Sequence, residues 1–416
     1  MKVAVFLNNL GLGGTEKAAC RWAWGLKDRG HEVLVLALRD GPRRAELERH
    51  AVPLRLAPAE PPRLAALLRE LAPQVIHAHA PGHPHEGDVL GAALALLPKI
   101  PVVQTNVFGH LYNPKEEAWT DFRLFISWTS CVQAARRVFR PLDEAFFAHA
   151  SVAVYPLDPV VPPPASAVAA RRSQWGVTGD EILFGRFSRP DPNKWTSLAV
   201  DAFRQAVRRN PHLKLLLREP PPAVANALRE TLEGKHFIIL PATSDATELA
   251  LSMAAVDVVL HTSSIGESFG YGIAEPMNLG RPVITHSVPW QDQAQLELVR
   301  HGECGYIAST PGAMAAAMLQ LGADPDLRTR MGAAARQHIA QLANPDESLS
   351  RLESALALAV AQRPNPRAAE DLGSARAAAA YLDQHQFGHS AGEQLKLRPF
   401  YWRARFHQWR QRRRVV

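Results

Sequence analysis

The sequence is poor in cysteine. Its three cysteines, Cys20, Cys131 and Cys304, are scattered, and no Cys-x-x-Cys or Cys/His cluster occurs. That scarcity argues against a disulfide scaffold and a zinc site, and it is typical of a reducing compartment. No apolar run approaches the roughly 20 residues of a membrane-spanning helix, and the chain enters a strand-like run at 3–7 without the apolar core of a signal peptide. We therefore expect a soluble, cytoplasmic protein.

Acidic residues are in the minority. The chain has 47 Lys plus Arg against 40 Asp plus Glu, a formal net charge of +7. Much of the excess lies in the last residues, namely Arg403, Arg405, Arg410, Arg412, Arg413 and Arg414. Such a surface predicts an anionic partner: lipid, nucleic acid or the phosphates of a substrate. Nucleic acid is the least favoured of these, because no recognised binding module accompanies the charge.

Short apolar runs alternate with helix-like stretches in two parts of the chain. In the first part, strands are predicted at 3–7, 32–38, 75–78 and 101–104, and helices at 15–29, 63–71 and 89–97. In the second, strands are predicted at 182–185, 213–217, 237–240, 256–260 and 282–285, and helices at 197–209, 222–232, 247–254 and 273–279. This alternation predicts an α/β fold with two Rossmann-like, doubly wound domains.

Proline marks the boundary between these domains. The run Pro162-Pro163-Pro164 excludes a helix and predicts extended chain. We predict domains at 1–158 and 171–363, joined by a Pro-rich linker at 159–170. From residue 364 to 416 we predict a helical tail that ends in basic and aromatic residues. Asp324-Pro325-Asp326, the only Asp-x-Asp in the chain, is predicted to start a helix and not to bind a metal.

A glycine-rich turn follows the first strand and opens the first helix. Gly13 and Gly14 let the backbone approach a ligand, and the helix N-terminus favours an anion. The segment predicts either a diphosphate cradle or a tight strand-to-helix turn. Glu16 stands where a dinucleotide-binding Gly-x-Gly-x-x-Gly has its third glycine, which disfavours an NAD-dependent dehydrogenase.

Three cations follow the first strand of the second domain. Arg186, Arg189 and Lys194 lie at the sheet edge where open α/β folds bind ligands. The planar fork of arginine and the point charge of lysine both suit phosphate oxygens. The loop predicts either a partner for a leaving nucleoside diphosphate or an ordinary solvated surface loop.

Two carboxylates frame the start of a later helix. Glu267 and Glu275 are separated by seven residues, and the helix is predicted to begin near Phe269. One carboxylate can bind sugar hydroxyls and the other ribose hydroxyls, while the backbone amides between them bind phosphate. Such a pair also arises by chance, but the flanking Ser-Phe-Gly and residues 276–284 make chance much less probable.

Several motifs together resemble the family-four retaining glycosyltransferases, which are GT-B fold enzymes. Residues 267–284 resemble the family's Glu-x7-Glu element with its following Gly-x-Pro-Val. Residues 13–16 resemble its Gly-Gly-x-Glu loop, 185–194 its Gly-Arg-loop-Lys phosphate clamp, and 297–306 its Glu-Leu-Val, His-Gly and Gly-Tyr ending. The motifs occur in the family's order, and the resemblance implies a GT-B fold whose two domains face each other across a cleft.

The resemblance implies a role for each matched residue. Glu267 would contact the transferred sugar and Glu275 would hold the ribose. Arg186 and Lys194 would neutralise the diphosphate, with Arg189 sharing or replacing the work of Lys194. The remaining donor-binding positions would be Gly13 and Gly14 from the first, acceptor-side domain, and Ser268, Phe269, Gly270 and Tyr271 from the second.

One position departs from the family pattern. Many members have a histidine after a first-domain strand at the cleft, where this chain has Asn106, followed by His110. Either residue is a candidate to face the reacting sugar. His77 and His79 are further candidates, although strand-end histidines satisfied by the backbone explain them equally well.

The resemblance implies a retaining transfer that needs neither a metal nor another cofactor. The donor would be a UDP- or GDP-linked sugar, and the acceptor a glycan or lipid-linked precursor in cell-envelope or polysaccharide biosynthesis. A GT-B epimerase acting on a nucleotide sugar, or a non-catalytic nucleotide-sugar or polyanion binder, is the alternative. No nucleic-acid partner is expected.

The tail allows two predictions. Trp402, Phe406 and Trp409 share one helical face, with arginines around them. This pattern suits a helix lying on an anionic membrane, at the inner face of the bilayer. It also suits a terminal helix that crosses back to pack on the first domain.

Overall fold

A computed structural model describes residues 1–80, 88–109, 118–137 and 141–412. The candidate residue His110 therefore lies outside the described residues. The chain divides into an N-terminal unit, Met1–Pro156 with Ala343–Ala379, and a C-terminal unit, Leu157–Leu342 with the residues from Ala380 onward. None of the helices in the described ranges combines the length and apolar character that crossing a bilayer requires.

The N-terminal unit is built on a parallel sheet of seven strands in the order β3-β2-β1-β4-β5-β6-β7. The strands are β1 Lys2–Leu7, β2 Glu32–Ala37, β3 Leu54–Leu56, β4 Val75–Ala80, β5 Val102–Asn106, β6 Phe122–Phe125 and β7 Ala150–Val152. The helices between them are α1 Gly14–Asp28, α2 Arg44–Arg49, α3 Pro61–Leu71, α4 Val89–Leu94, α5 Trp128–Arg137 and α6 Glu144–Phe147. Residues 3–7 of β1 are all buried, as in a strand whose sheet is covered by helices on both faces.

The C-terminal unit repeats this architecture with a parallel sheet of six strands. They are β8 Ile182–Phe187, β9 Leu213–Arg218, β10 Phe237–Leu240, β11 Val258–His261, β13 Val283–Thr285 and β15 Gly305–Ile307, in the order β10-β9-β8-β11-β13-β15. A separate pair of two-residue strands, β12 Gly266–Glu267 and β14 Asp292–Gln293, lies beside the sheet's loops. The helices are α7 Ala165–Gln174, α8 Leu198–Val207, α9 Pro222–Thr231, α10 Ala246–Ala255, α11 Tyr271–Asn278, α12 Ala294–Leu298, α13 Pro311–Ala323 and α14 Pro325–Leu342.

Both sheets have the strand order of a Rossmann fold, so the predicted α/β class with two doubly wound domains is confirmed. In each unit the order reverses once, between β1 and β4 and between β8 and β11. Ligands of open α/β sheets bind beyond the carboxyl ends of the strands at such a reversal. The two reversals therefore mark where each unit can bind a ligand.

The chain end differs from the predicted domain boundaries. Three further helices complete the fold: α15 Pro345–Ala361, α16 Ala368–His385 and α17 Ala391–Arg412. Residues 343–363, predicted to end the second domain, belong to the N-terminal unit. There α15 packs on α1, where Trp22 Nε1 donates a 2.9 Å hydrogen bond to Ser348 Oγ and Gly25 lies so close to Leu349 that a Cβ would clash at 2.9 Å.

Two further predictions about boundaries need correction. The predicted linker at 159–170 is extended only in its first half, because α7 begins at Ala165 directly after the last proline of the run. Of the predicted tail, residues 364–379 belong to the N-terminal unit, whereas α17, the terminal helix for which packing on the first domain was one prediction, belongs to the C-terminal unit. The predicted helix start at Asp324 is observed: its Oδ1 accepts the Leu327 N–H of α14 at 2.8 Å.

Candidate active site

The strand reversal in the C-terminal unit collects four charged or titratable side chains. Arg186 lies near the end of β8 and His261 ends β11, while Lys194 and Glu267 lie in the loops that follow these strands. We call these four residues the charged cluster. Three of them, Arg186, Lys194 and Glu267, are the predicted catalytic residues, and the structure brings them together.

Glu267 is the centre of the charged cluster. Its Oε2 lies 2.8 Å from Lys194 Nζ and its Oε1 lies 2.9 Å from His261 Nε2. The exposed fractions of the Glu267 and Lys194 side chains are 11% and 19%. Burial raises the pKa of the Glu267 carboxyl, but Lys194 and His261 outweigh burial and hold that pKa well below its usual range. The carboxylate is therefore ionised at neutral pH.

Arg186 is buried and bonded to the protein through both of its terminal nitrogens. Its terminal nitrogens donate to Phe187 O at 2.9 Å, His261 Nδ1 at 3.2 Å, Lys194 O at 2.6 Å and Thr262 O at 2.9 Å. The residue is 1% exposed, and its guanidinium carbon lies 4.8 Å from the centroid of the Trp195 ring. Arg186 thus holds the two loops together, while its Nε has no hydrogen-bond partner within the described residues. Its contact with a diphosphate stays a prediction.

His261 links Arg186 to Glu267. Because Arg186 donates to Nδ1, that nitrogen is unprotonated, and Nε2 carries the hydrogen that is donated to Glu267. Burial and then the Arg186 charge lower the pKa of His261 to about 4, so the ring is neutral at physiological pH. His261 was not predicted from the sequence; its signal is a histidine that ends the apolar run 258–261 directly before the Glu267 loop.

The loop that carries Lys194 also carries an available cation. Asp191 Oδ1 accepts the Asn193 N–H at 2.9 Å and caps a short 3₁₀ helix, Pro192–Lys194. Asn193 O in turn accepts from the Ser264 hydroxyl at 2.6 Å, which ties this loop to the one after β11. Arg189 is exposed, and within the described ranges its guanidinium has no recorded hydrogen bond or ion pair. The exposed Arg189 guanidinium is therefore available to an anion.

The predicted donor loop has a glycine with a special conformation. Gly270 has φ 101° and caps the N-terminus of α11, and a Cβ there would lie 3.3 Å from the Glu267 side chain. Ser268 Oγ donates to Asp292 Oδ2 at 2.6 Å, so β14 supports this loop. Phe269 and Tyr271 meet edge to face, with ring centroids 4.9 Å apart. The bond to Asp292 and the contact between the two rings hold this loop in place.

The N-terminus of α11 lies against the charged cluster. A Cβ on Gly272 would lie 3.1 Å from Phe187 O and 3.8 Å from the His261 ring. The partial positive charge of a helix N-terminus favours phosphate. Glu275 lies in the second turn of α11 and is partly buried. Helix α11 thus presents the two features predicted for donor binding, an anion-attracting end and a second carboxylate.

In the N-terminal unit, the predicted glycines lie at that unit's own strand reversal. Gly13 is the N-cap of α1 and Gly14 is its first residue. A Cβ on Gly13 would lie 2.2 Å from Glu16 Oε2, so the Glu16 carboxylate folds over the start of the helix. The glycine is needed for this close approach.

Asn106 is buried where β5 ends. It is 5% exposed, and its Oδ1 has no hydrogen-bond partner within the described ranges. Buried polar groups are nearly always paired, so such an atom is notable. His77 and His79 on β4 are also buried, and His77 Nε2 lies 2.7 Å from Thr105 Oγ1. His77 is therefore bonded through Nε2 to a side chain, whereas its Nδ1 and both ring nitrogens of His79 have no hydrogen-bond partner within the described residues.

The buried neutral histidines should make the fold less stable in acid. Burial lowers the pKa of His77 and His286 to about 3, and burial together with Arg186 lowers that of His261 to about 4. Unfolded histidine titrates near 6.5, so as the pH falls below this value the unfolded chain binds protons that the folded chain rejects. The contribution of these histidines to the free energy of unfolding is fully present above about pH 6.5. It is lost as the pH falls toward about 4, with a slope approaching ~1.4 kcal/mol per pH unit for each histidine.

Urea unfolding between neutral pH and about pH 5 measures this loss. His261→Gln should reduce the slope of this loss, because it removes one of the three buried histidines. A free energy of unfolding that stays constant over this interval would contradict the expectation.

Two protein-family models and several known proteins match this chain. A model described as Glycosyl transferases group 1 matches residues 181–324, and one described as Glycosyltransferase Family 4 matches residues 12–141. The phosphatidyl-myo-inositol mannosyltransferases of Mycobacterium tuberculosis and Mycobacterium bovis are 29% identical over 161 residues. These matches span 36% of this chain and 39% of each mannosyltransferase.

Solved structures share the fold over most of the chain. HepE of Anabaena in complex with UDP gives a TM-score of 0.72 at 19% identity, covering 86% of this chain and all of HepE. WaaG, a glycosyltransferase involved in lipopolysaccharide biosynthesis, gives 0.60 at 13% identity, covering 84% of this chain and 99% of WaaG. Taken with the two family models, whose ranges include the predicted site residues in both units, these likenesses show that the chain belongs to the family 4 glycosyltransferases and has the GT-B fold.

Proposed function

We propose that the chain transfers a sugar from a nucleotide-sugar donor to an acceptor in glycan or lipid-linked biosynthesis. The observation that supports this most is the charged cluster at the β8/β11 reversal: an ionised, partly buried carboxylate held beside Lys194 at 2.8 Å. Arg189 and the N-terminus of α11 add positive charge to the same unit. Solved neighbours include HepE in complex with UDP and with UDP-glucose, which favours a nucleotide-linked donor.

The proposed reaction retains the configuration of the anomeric carbon. An acceptor hydroxyl attacks that carbon from the face on which the diphosphate departs, a new glycosidic bond forms, and the bond from carbon to phosphate oxygen breaks. The departing phosphate oxygen takes the acceptor proton, so no separate base is needed. Lys194 and Arg189 stabilise the charge that builds on the leaving diphosphate, the role that a divalent metal has in other enzymes.

Glu267 has a different task in this proposal. Its carboxylate accepts hydrogen bonds from hydroxyls of the transferred sugar and stabilises the positive charge that develops at the anomeric carbon. His261 holds Oε1 by a 2.9 Å hydrogen bond, which fixes the carboxylate when Lys194 turns toward phosphate. Glu275 binds the ribose of the donor, and Asn106 remains the candidate on the N-terminal unit for the reacting sugar.

The proposed acceptor is a glycan or a lipid-linked precursor, and the proposed location is the cytoplasm, at the inner face of a membrane. The donor test is a thermal-shift panel of UDP- and GDP-linked sugars, followed by transfer assays with and without a chelator. We expect stabilisation by one donor and transfer that persists in chelator. Release of a free isomerised nucleotide sugar would favour an epimerase, and activity lost in chelator but restored by a divalent ion would refute the metal-independent reaction.

Two arginines of the same strand and loop should behave in opposite ways. Arg189→Ala should leave the free energy of unfolding unchanged and weaken donor binding about tenfold, because it removes one charge-assisted hydrogen bond to phosphate. Arg186→Met should instead destabilise the fold by about 3 kcal/mol, because the hydrogen bonds that join the two loops are lost. Urea unfolding and calorimetric titration with the donor separate the two effects. Equal effects of both variants on donor binding, with no loss of stability, would contradict this assignment.

A further inference from the structure

The C-terminal helix α17 has two distinct faces. One face packs on the C-terminal unit: Leu397 and Glu393 are 3% and 1% exposed. Glu393 Oε2 accepts the backbone N–H groups of His389 at 2.9 Å and Ser390 at 3.1 Å. The carboxylate of Glu393 is therefore used to anchor the start of the helix.

The opposite face carries large apolar side chains in solvent. Leu395 is 79% exposed and Trp402 is 67% exposed, and Pro399 between them is also exposed. At 3.6 residues per turn these positions, i, i+4 and i+7, lie on one stripe. Isolated exposed apolar side chains are normal in proteins, but a continuous stripe marks an interaction surface.

Cations flank this stripe on both sides. On the helical wheel Arg398 lies on one side of it, and Lys396 and Arg403 lie on the other. From residue 391 to the end, the sequence contains eight Lys and Arg and one acidic residue, the buried Glu393. The sequence thus supplies no exposed carboxylate there to oppose an anionic partner.

We propose that this face of α17 docks on an anionic lipid bilayer, with Leu395 and Trp402 entering the interface and the flanking cations contacting lipid phosphates. An apolar stripe between two basic margins is the arrangement that places a helix in the plane of a bilayer surface. A nucleic acid would contact the cations but leave the apolar stripe exposed to water. A second copy of the protein would be repelled, because it carries the same positive charge on this face. The inference refines the proposed membrane location but does not depend on sugar transfer.

Vesicle co-sedimentation of the full chain tests the proposal. We expect binding to vesicles of equal parts phosphatidylcholine and phosphatidylglycerol, and much weaker binding to phosphatidylcholine alone. Trp402→Glu should lower partitioning at least about tenfold, and Arg403→Glu by about thirtyfold, because both insertion and charge contribute. The matched control is Val161→Glu, which adds the same charge at a position that is 89% exposed outside the tail and should bind as the natural chain does.

Each contrary outcome overturns the docking proposal. The first is no binding to the anionic vesicles, and the second is equal binding by Trp402→Glu and the natural chain. The third is binding to duplex RNA in place of vesicles. The fourth is a dimer that the Trp402→Glu substitution dissociates, with no binding to vesicles. Thermal unfolding of each variant checks that the fold is intact. Donor binding, measured separately by thermal shift, distinguishes failure of the proposed transfer from failure of membrane docking.

Discussion

Glu267→Gln should lower kcat by about 10²–10³-fold while leaving the fold intact. The amide has the shape of the carboxylate and can still accept a hydrogen bond from His261 Nε2, which lies 2.9 Å from Oε1. It lacks the charge that would stabilise the anomeric carbon in the transition state. Because that charge acts mainly in the transition state, kcat should fall far more than the apparent affinity for the donor. Steady-state kinetics with the donor identified by the nucleotide-sugar panel measure the two effects separately.

Glu275→Gln is the matched control for this experiment. It makes the same chemical change eight positions along the chain, in the second turn of α11, where the proposed contact is to the donor ribose. We therefore expect a raised KM for the donor and a much smaller loss of kcat. A kcat for Glu267→Gln within about fivefold of the natural enzyme is far below the effect of removing a transition-state contact and would remove Glu267 from the chemistry.

Lys194→Met should have two large effects at once. It removes a cation that faces the leaving diphosphate, so donor binding and kcat should together fall by about 10²–10³-fold. It also leaves the partly buried Glu267 carboxylate without the partner that lies 2.8 Å away, and leaving such a group unpaired costs about 1–3 kcal/mol of folding stability. Urea unfolding and calorimetric titration with the donor report these losses independently.

A second substitution separates the two effects of Lys194→Met. In the double variant Lys194→Met/Glu267→Gln no charge is left unpaired between these positions, so most of the lost stability should return. Activity should not return, because both proposed contacts to the donor are gone. A double variant as unstable as Lys194→Met alone would show that the ion pair does not account for the stability of this loop region.

The sequence allowed the fold to be predicted because both units follow one simple pattern. Apolar runs such as 3–7 and 213–217 are too short for helices and lie between helix-like stretches, and the structure has strands at Lys2–Leu7 and Leu213–Arg218. The predicted positions of α1 and α8 were also close to the observed ones. Local pattern does not show which unit a helix packs on. For that reason α15 was assigned to the second domain, and packing of α17 on the C-terminal unit was not among the predictions.

The sequence was enough to predict most residues of the candidate site, but not the contacts between them. Motif spacing selected Arg186, Lys194 and Glu267, which the structure brings together. It did not distinguish Arg186, whose side chain is buried with its terminal nitrogens all bonded, from Arg189, whose side chain is exposed. That difference depends on the path of the 188–195 loop and on the stacking of Arg186 at 4.8 Å from Trp195. His261 was missed for a related reason, since its partners come from β8 and from the loop after β11.

The central claim is that the donor diphosphate binds at the β8/β11 reversal, with Lys194 and Arg189 on its oxygens and Glu267 held by His261 for the sugar. A crystal structure of the chain with its UDP- or GDP-linked donor tests this most directly. The account predicts phosphate oxygens within hydrogen-bonding distance of Lys194 Nζ and the Arg189 guanidinium, with the Arg186–His261–Glu267 contacts kept. A diphosphate bound elsewhere, with Lys194 still paired to Glu267, would contradict it.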